Sequence, residues 1–222
     1  MITILDGGMG GELIRRQVTP RGELWSAQAL IDDPNSVLQV HRDYLAAQAR
    51  PIYRSLCRSL DPFVDLFLCE TMSCIRESVS AATAAREIVD PGKPVYVSWT
   101  LAEGAGEGLR SGETIQAAVE SMADLNVDAF LFNCTSPEAI SGGLDEIRKL
   151  TDQPFGAYPN RLSIPEGWTL DNDVPTGYRV DLDVASFVDY ARRWVDQGAS
   201  IIGVCCRVGP EYIEALAESL AQ

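Results

Sequence analysis

Short apolar runs alternate along the chain with longer amphipathic stretches. Ile2–Leu5, Val64–Cys69, Pro94–Leu101, Val127–Asn133, Pro154–Tyr158 and Ser200–Cys205 are rich in Val, Ile, Phe and Tyr. Most are apolar on both faces, the pattern of parallel strands covered by helices. The stretches Ser36–Ala49, Ile52–Leu60, Ile75–Val89, Thr114–Leu125, Pro137–Leu150, Val184–Gln197 and Pro210–Ala221 read as helices. Ser36 is placed to cap the first of these, and Pro137 suits the first turn of its own. The alternation predicts an α/β protein of successive βα units. No shift in composition marks a linker, so residues 1–222 read as one domain.

One junction breaks the rhythm. Two helical stretches, Ser36–Ala49 and Ile52–Leu60, meet with only Arg50 and Pro51 between them and no strand to separate them. Six strands result, where a closed barrel of βα units has eight. Two further units need roughly 60–80 residues, so the reading places a missing segment at Arg50–Pro51. Polar material gathers after the C-terminal ends of the strands, in the Gly- and Glu-rich stretch Glu103–Gly112 and the Pro/Gly/Asn-rich stretch Asn160–Arg179. Long loops at that end of a βα array are where function resides.

Composition narrows the class. The 222 residues are 46% apolar and 23% charged, which excludes intrinsic disorder and a disulfide-dense miniprotein. The net charge of −14 repels phosphate backbones and anionic lipid, so neither nucleic acid nor a membrane surface is an expected partner. The N-terminal MITILDGGMGG lacks the basic and apolar regions of a signal peptide, and no apolar run is long enough to span a bilayer. A cytoplasmic protein is expected, with its six cysteines as free thiols or metal ligands. The single histidine, His41, lies within a helical run and reads as a surface or packing residue.

The chemistry-bearing residues sit where strands end. Cys205 and Cys206 are adjacent after the last strand, in Gly203-Val204-Cys205-Cys206, and Cys134 follows another in Asn133-Cys134-Thr135-Ser136-Pro137. Strand ends of a parallel barrel lie on one rim, where three thiolates can meet at one metal. Three protein ligands with a fourth position open is the catalytic zinc pattern. For the vicinal pair alone, coincidence and a redox disulfide remain alternatives. Cys57, Cys69 and Cys74 read as small packing residues. Asp6-Gly7-Gly8 follows the first strand, with glycines that admit a ligand close to the backbone and a carboxylate beside them. Glu70 stands at a second rim position, where it can hold an ammonium group or be a solvated loop carboxylate. Asn160 and Trp25 are further candidates, since an aromatic at a rim can face a cationic substrate.

Together these segments resemble the zinc-dependent homocysteine S-methyltransferases. That family carries an Asp-Gly-Gly turn, an Asn-Cys pair and a Gly-Gly-Cys-Cys motif, matched here by Asp6-Gly7-Gly8, Asn133-Cys134 and Gly203-Val204-Cys205-Cys206. Val204 departs from the second glycine. The resemblance runs through nearly the whole chain, about residues 2–49 and 51–220, and the family carries two strands at the Arg50–Pro51 junction.

The resemblance implies a (β/α)8 TIM barrel and a Zn²⁺ ion held by Cys134, Cys205 and Cys206. It implies homocysteine bound through its sulfur to that zinc, its amino group held by Asp6 and Glu70, with Asn133 helping to orient a ligand. The expected activity is methyl transfer from a small cationic donor to homocysteine, giving methionine. A sulfonium such as S-methylmethionine is the first choice of donor, betaine the second and methylfolate the third. A non-catalytic barrel relic is the competing reading, because two strands are missing.

Overall fold

In the computed structural model the described residues are 9–18, 29–90, 92–104, 106–163 and 177–220. The expected strand Ile2–Leu5, the turn Asp6-Gly7-Gly8 and Trp25 lie outside them. The elements are α1 (Met9–Arg15), α2 (Ala29–Asp32), α3 (Pro34–Leu60), β1 (Phe67–Met72), α4 (Ile75–Ile88), β2 (Val95–Trp99), α5 (Ile115–Glu120), β3 (Ala129–Asn133), α6 (Pro137–Ile147), β4 (Phe155–Tyr158), β5 (Leu162–Ser163), β6 (Gly177–Tyr178), α7 (Val184–Asp196), β7 (Ile201–Ile202) and α8 (Pro210–Leu220).

Five strands pair in parallel in the order β1-β2-β3-β4-β7, and β5 and β6 form a small antiparallel pair beside them. Parallel neighbours require crossovers, and α4, α5, α6 and α7 supply them. Successive strand residues point to opposite faces. One face buries Phe67, Val95, Val97, Trp99, Phe130, Phe132 and Phe155 against the alanines of α4 and against Ile140, Leu144, Phe187 and Trp194 of α6 and α7. Trp194 ties α7 to α6 by donating from Nε1 to Ser141 Oγ at 2.8 Å. The other face carries a smaller cluster of Ala129, Leu131 and Tyr158, with Tyr96, Ile201 and Cys205 packed on it. Ser98 and Asn133 continue this second face by the same alternation.

This is the consecutive parallel sheet of a (β/α) barrel, left open. Among the described residues β1 and β7 are its edges, and the eight-stranded closure is not made. Leu66 and Leu68 are partly exposed at the β1 edge, in keeping with strands absent from that side.

The two helices expected at Ser36–Ala49 and Ile52–Leu60 are one. α3 runs unbroken for 27 residues with Pro51 inside it. A proline within a helix forfeits one backbone hydrogen bond, and side-chain ties to α4 compensate on both sides of it. Asp43 accepts from Arg76 Nε at 2.6 Å, Tyr53 donates to Glu77 at 3.2 Å, and Arg54 pairs with Glu87. The cap is Asp33 rather than Ser36: Pro34 opens the helix, and Asp33 accepts from the Ser36 N–H at 3.2 Å.

Three further boundaries move. α5 is shorter than Thr114–Leu125 because the chain turns after Glu120 and reaches a left-handed Asn126, φ 48°. β1 extends to Met72, so Glu70 stands within the strand rather than after it. β7 stops at Ile202, because the following backbone leaves the ladder to bond the segment after β4.

Candidate metal centre

Three backbone segments converge at the C-terminal end of the sheet. Cys134 directly follows β3 and takes a left-handed conformation, φ 53°, which turns its side chain away from the strand's path. Its N–H donates to Tyr158 O at 3.3 Å. Cys205 N–H donates to Pro159 O at 3.0 Å, and Arg161 N–H donates to Cys206 O at 3.0 Å. Residues 158–161 thus act as a spine joining the end of β3 to the end of β7. The spine requires β4 and β7 to lie close, which Gly156 permits: a Cβ there would collide with the Ile201 backbone.

The result is a cluster of three sulfurs. Cys134 and Cys206 Sγ are 3.7 Å apart, Cys205 and Cys206 Sγ are 3.9 Å apart, and all three atoms lie within 4.8 Å of one another. Zinc–thiolate bonds of about 2.3 Å set a tetrahedral S···S edge of about 3.8 Å. Two of the three edges therefore already have the length a zinc site needs, and soft sulfur donors suit that ion.

The proton chemistry of the cluster points the same way. A hydrogen bond from the Cys205 thiol lowers the pKa of Cys134, aided by the Asn160 carboxamide at 3.8 Å, the Cys206 thiol and the positive charge of Arg110. The bond to Cys134 in turn raises Cys205, and burial adds to the rise. Burial and the Cys134 charge raise Cys206. A cation at its centre is what would allow all three to ionise.

Asn133, fully buried, does not present its carboxamide to open space. Its Oδ1 accepts from Thr71 N–H at 3.1 Å and from Ser98 Oγ at 2.7 Å, and its Nδ2 donates to Thr71 Oγ1 at 2.7 Å. Thr71 is left-handed, φ 59°, at an irregularity in the β1–β2 register between Cys69 and Met72. Asn133 thereby fixes the bend that follows Glu70, which is exposed at the same end of the sheet. Asn160 is buried, and its Oδ1 accepts from Leu162 N–H at 3.0 Å.

Three contributors were not among the sequence candidates: Ser98, Tyr158 and Arg110. The alternation along β2 and β4 puts the first two on the face of Asn133, and that signal was available. His41 is on the exposed side of α3. Cys57 and Cys69 are buried apart from the sulfur cluster, and burial pushes Cys69 up to about 12. A groove of about 630 Å³, lined by Asp43, Arg50, Arg54, Arg76 and Glu113, lies between α3 and α4 at the Arg50–Pro51 junction, away from the cysteines. Among the described residues no helix is long and apolar enough to cross a membrane.

Comparison with known proteins gives a family. The sequence profile of "Homocysteine S-methyltransferase" matches in two stretches, residues 3–54 and 48–220, which overlap across the Arg50–Pro51 junction. Homocysteine S-methyltransferase 3 of Zea mays is 26% identical, with 99% of this chain and 90% of that protein covered. That alignment runs over 313 positions, more than the 222 residues here can fill. Among solved structures, the apo form of the Escherichia coli homocysteine methyltransferase MmuM superposes with a TM-score of 0.58 at 24% identity, covering 83% of this chain and 70% of that one. Its metallated form gives 0.54 at 21%, covering 96% and 94%. These likenesses establish the barrel-type fold.

Proposed function

The chain belongs to the homocysteine S-methyltransferase family, and from that premise we propose that it transfers a methyl group from a small cationic donor to the thiol of homocysteine, giving methionine. The observation that carries this reading is the three-sulfur cluster of Cys134, Cys205 and Cys206, with spacings suited to one zinc ion. When bound, the ion supplies the positive charge that keeps a substrate thiol ionised near neutral pH, where a free thiol with a pKa near 8.5 is mostly protonated.

The residues around the cluster have separate tasks. Cys134, Cys205 and Cys206 would hold the ion. Asn160 and Arg110 offset negative charge at Cys134. Asn133 positions the Glu70–Thr71 bend, and Glu70 supplies a carboxylate for the amino group of the substrate. Asp6, Gly7 and Gly8 are proposed for the same substrate, and Trp25 for the donor. In the reaction the homocysteine sulfur gives up its proton to solvent and forms a bond to the methyl carbon. The donor's bond to that carbon breaks, and the donor leaves neutral. Charge is annihilated in this step, so an apolar surround assists it. A sulfonium such as S-methylmethionine suits an anionic cluster best, and betaine is the second choice. The free thiols fit a reducing cytoplasm.

Incubating zinc-loaded protein with homocysteine and each donor in turn tests the reading by methionine formation. Turnover with S-methylmethionine supports it, and turnover with betaine alone refutes the sulfonium choice. The open sheet favours a second reading, a binding protein that keeps the metal and has lost turnover. Stoichiometric zinc without methionine from any donor would establish it.

A further inference from the structure

The second face of the sheet holds a buried polar atom that no residue of the protein meets in good hydrogen-bond geometry. Tyr158 is 7% exposed, and its hydroxyl is buried without a hydrogen-bond partner. Leaving a buried hydroxyl unpaired costs stability, and such groups in folded proteins usually have an outside partner. Tyr158 lies opposite Asn133 in the β3–β4 register, and its side chain packs in the cluster that includes Cys205. Ser98 and Glu70 are its polar neighbours. It therefore stands between the sulfur cluster and the carboxylate at the end of β1.

The hydrogen-bond inventory of this corner is one-sided. Ser98 spends its only proton on Asn133 Oδ1 and keeps lone pairs to accept. The Glu70 carboxylate accepts only. A phenol has an ordinary pKa near 10 and is neutral at pH 7, so Tyr158 can donate to a carboxylate and still accept through oxygen. An ammonium group brings three donors and no acceptor, the complement of this set.

We infer that Tyr158 is a specificity-determining residue, its hydroxyl oxygen joining Ser98 Oγ and the Glu70 carboxylate as a three-acceptor seat for the amino group of the bound thiol. The inference rests on the homocysteine reading and sharpens it: the site selects α-amino thiols over thiols of the same length that lack the amine. Three strands build the seat: β1 through Glu70, β2 through Ser98, which Asn133 holds, and β4 through Tyr158.

The test is calorimetric binding of homocysteine and of its des-amino analogue, 4-mercaptobutanoate, to zinc-loaded wild type and Tyr158→Phe. The variant keeps the ring and removes one oxygen, and zinc content with thermal melting verifies that both proteins are folded and loaded. Wild type is expected to prefer homocysteine. The variant is expected to lose about tenfold of that preference, the scale of one hydrogen bond to a charged group, with affinity for the analogue unchanged. Exposed Glu70→Gln should narrow the ratio in the same sense. An unchanged ratio in folded, zinc-loaded Tyr158→Phe overturns the role of the hydroxyl and leaves the homocysteine reading standing. Wild type that binds neither thiol overturns both.

Discussion

Asn133 grips Thr71 from 62 positions away in sequence, taking its backbone N–H at 3.1 Å and giving a proton to its hydroxyl at 2.7 Å. The same carboxamide receives Ser98, so one side chain ties the ends of β1, β2 and β3 together. A left-handed, β-branched residue is costly by itself, and this double grip is what holds it.

Asn133→Ala removes the acceptor for two of these donors. The expected loss of stability is about 1–3 kcal/mol, the scale of the buried Ser98 hydroxyl left unpaired. Urea denaturation should show a lower midpoint with the slope preserved. Zinc content should persist, because no sulfur is removed. Zinc lost in a folded Asn133→Ala would place Asn133 in the metal site itself.

Purified protein is expected to carry about one zinc per chain. Cys206→Ser should weaken binding by more than about 100-fold, beyond the usual cost of losing an outer partner. Because the thiols must shed protons to bind, affinity should fall as pH falls. Competition against a chromophoric chelator at several pH values measures both effects. Metal retained by Cys206→Ser would remove the three-sulfur site from consideration.

A residue that touches no ligand should also control the metal. Gly156 allows the close approach of β4 and β7, and Gly156→Ala forces the Ile201 backbone outward. Cys205 and Cys206 follow that strand, so their sulfurs should drift from Cys134. The expected cost is about 10–100-fold in zinc affinity, with the helix content seen by circular dichroism retained. Wild-type affinity in Gly156→Ala would show that the ends of β4 and β7 are independent.

Acid should weaken the corner where β6 meets α6 and α7. Arg179, with help from Tyr190, holds Glu138 down to about 2 from an ordinary 4.5. A depressed carboxylate stabilises the fold above its unfolded pKa, and that contribution fades as pH drops from about 4.5 towards 2. The pair is partly exposed, so the effect should be about 1 kcal/mol or less. Glu138→Gln should be less stable than wild type at neutral pH, and the two should converge in acid when melting temperatures are followed across pH. A constant difference at every pH would contradict the pairing.

Much of this was legible from local pattern. Strands apolar on both faces can only be core strands, and β1 to β4 fall within a few residues of where that pattern puts them. Cys134, Cys205 and Cys206 could be grouped because each follows a strand, and parallel topology sends those ends to one rim. What escaped the reading depends on partners distant in sequence. The continuity of α3 through Pro51 rests on ties to α4, whereas proline propensity is local. The hold of Asn133 on Thr71 and Ser98 joins three strands, and no local pattern announces it. The left-handed backbone at Thr71 and Cys134 carries no glycine to announce it.

The spine at residues 158–161 has a mechanical consequence. The three sulfurs follow β3 and β7, which β4 joins as their common neighbour, so their spacing is set within one arc of the sheet and owes nothing to a completed ring. The opposite arc can be shortened, as the junction at Arg50–Pro51 implies, without moving a single donor atom. Metal capture and enclosure of the second substrate are then separable properties: the first belongs to three adjacent strands, the second to whatever wall faces them.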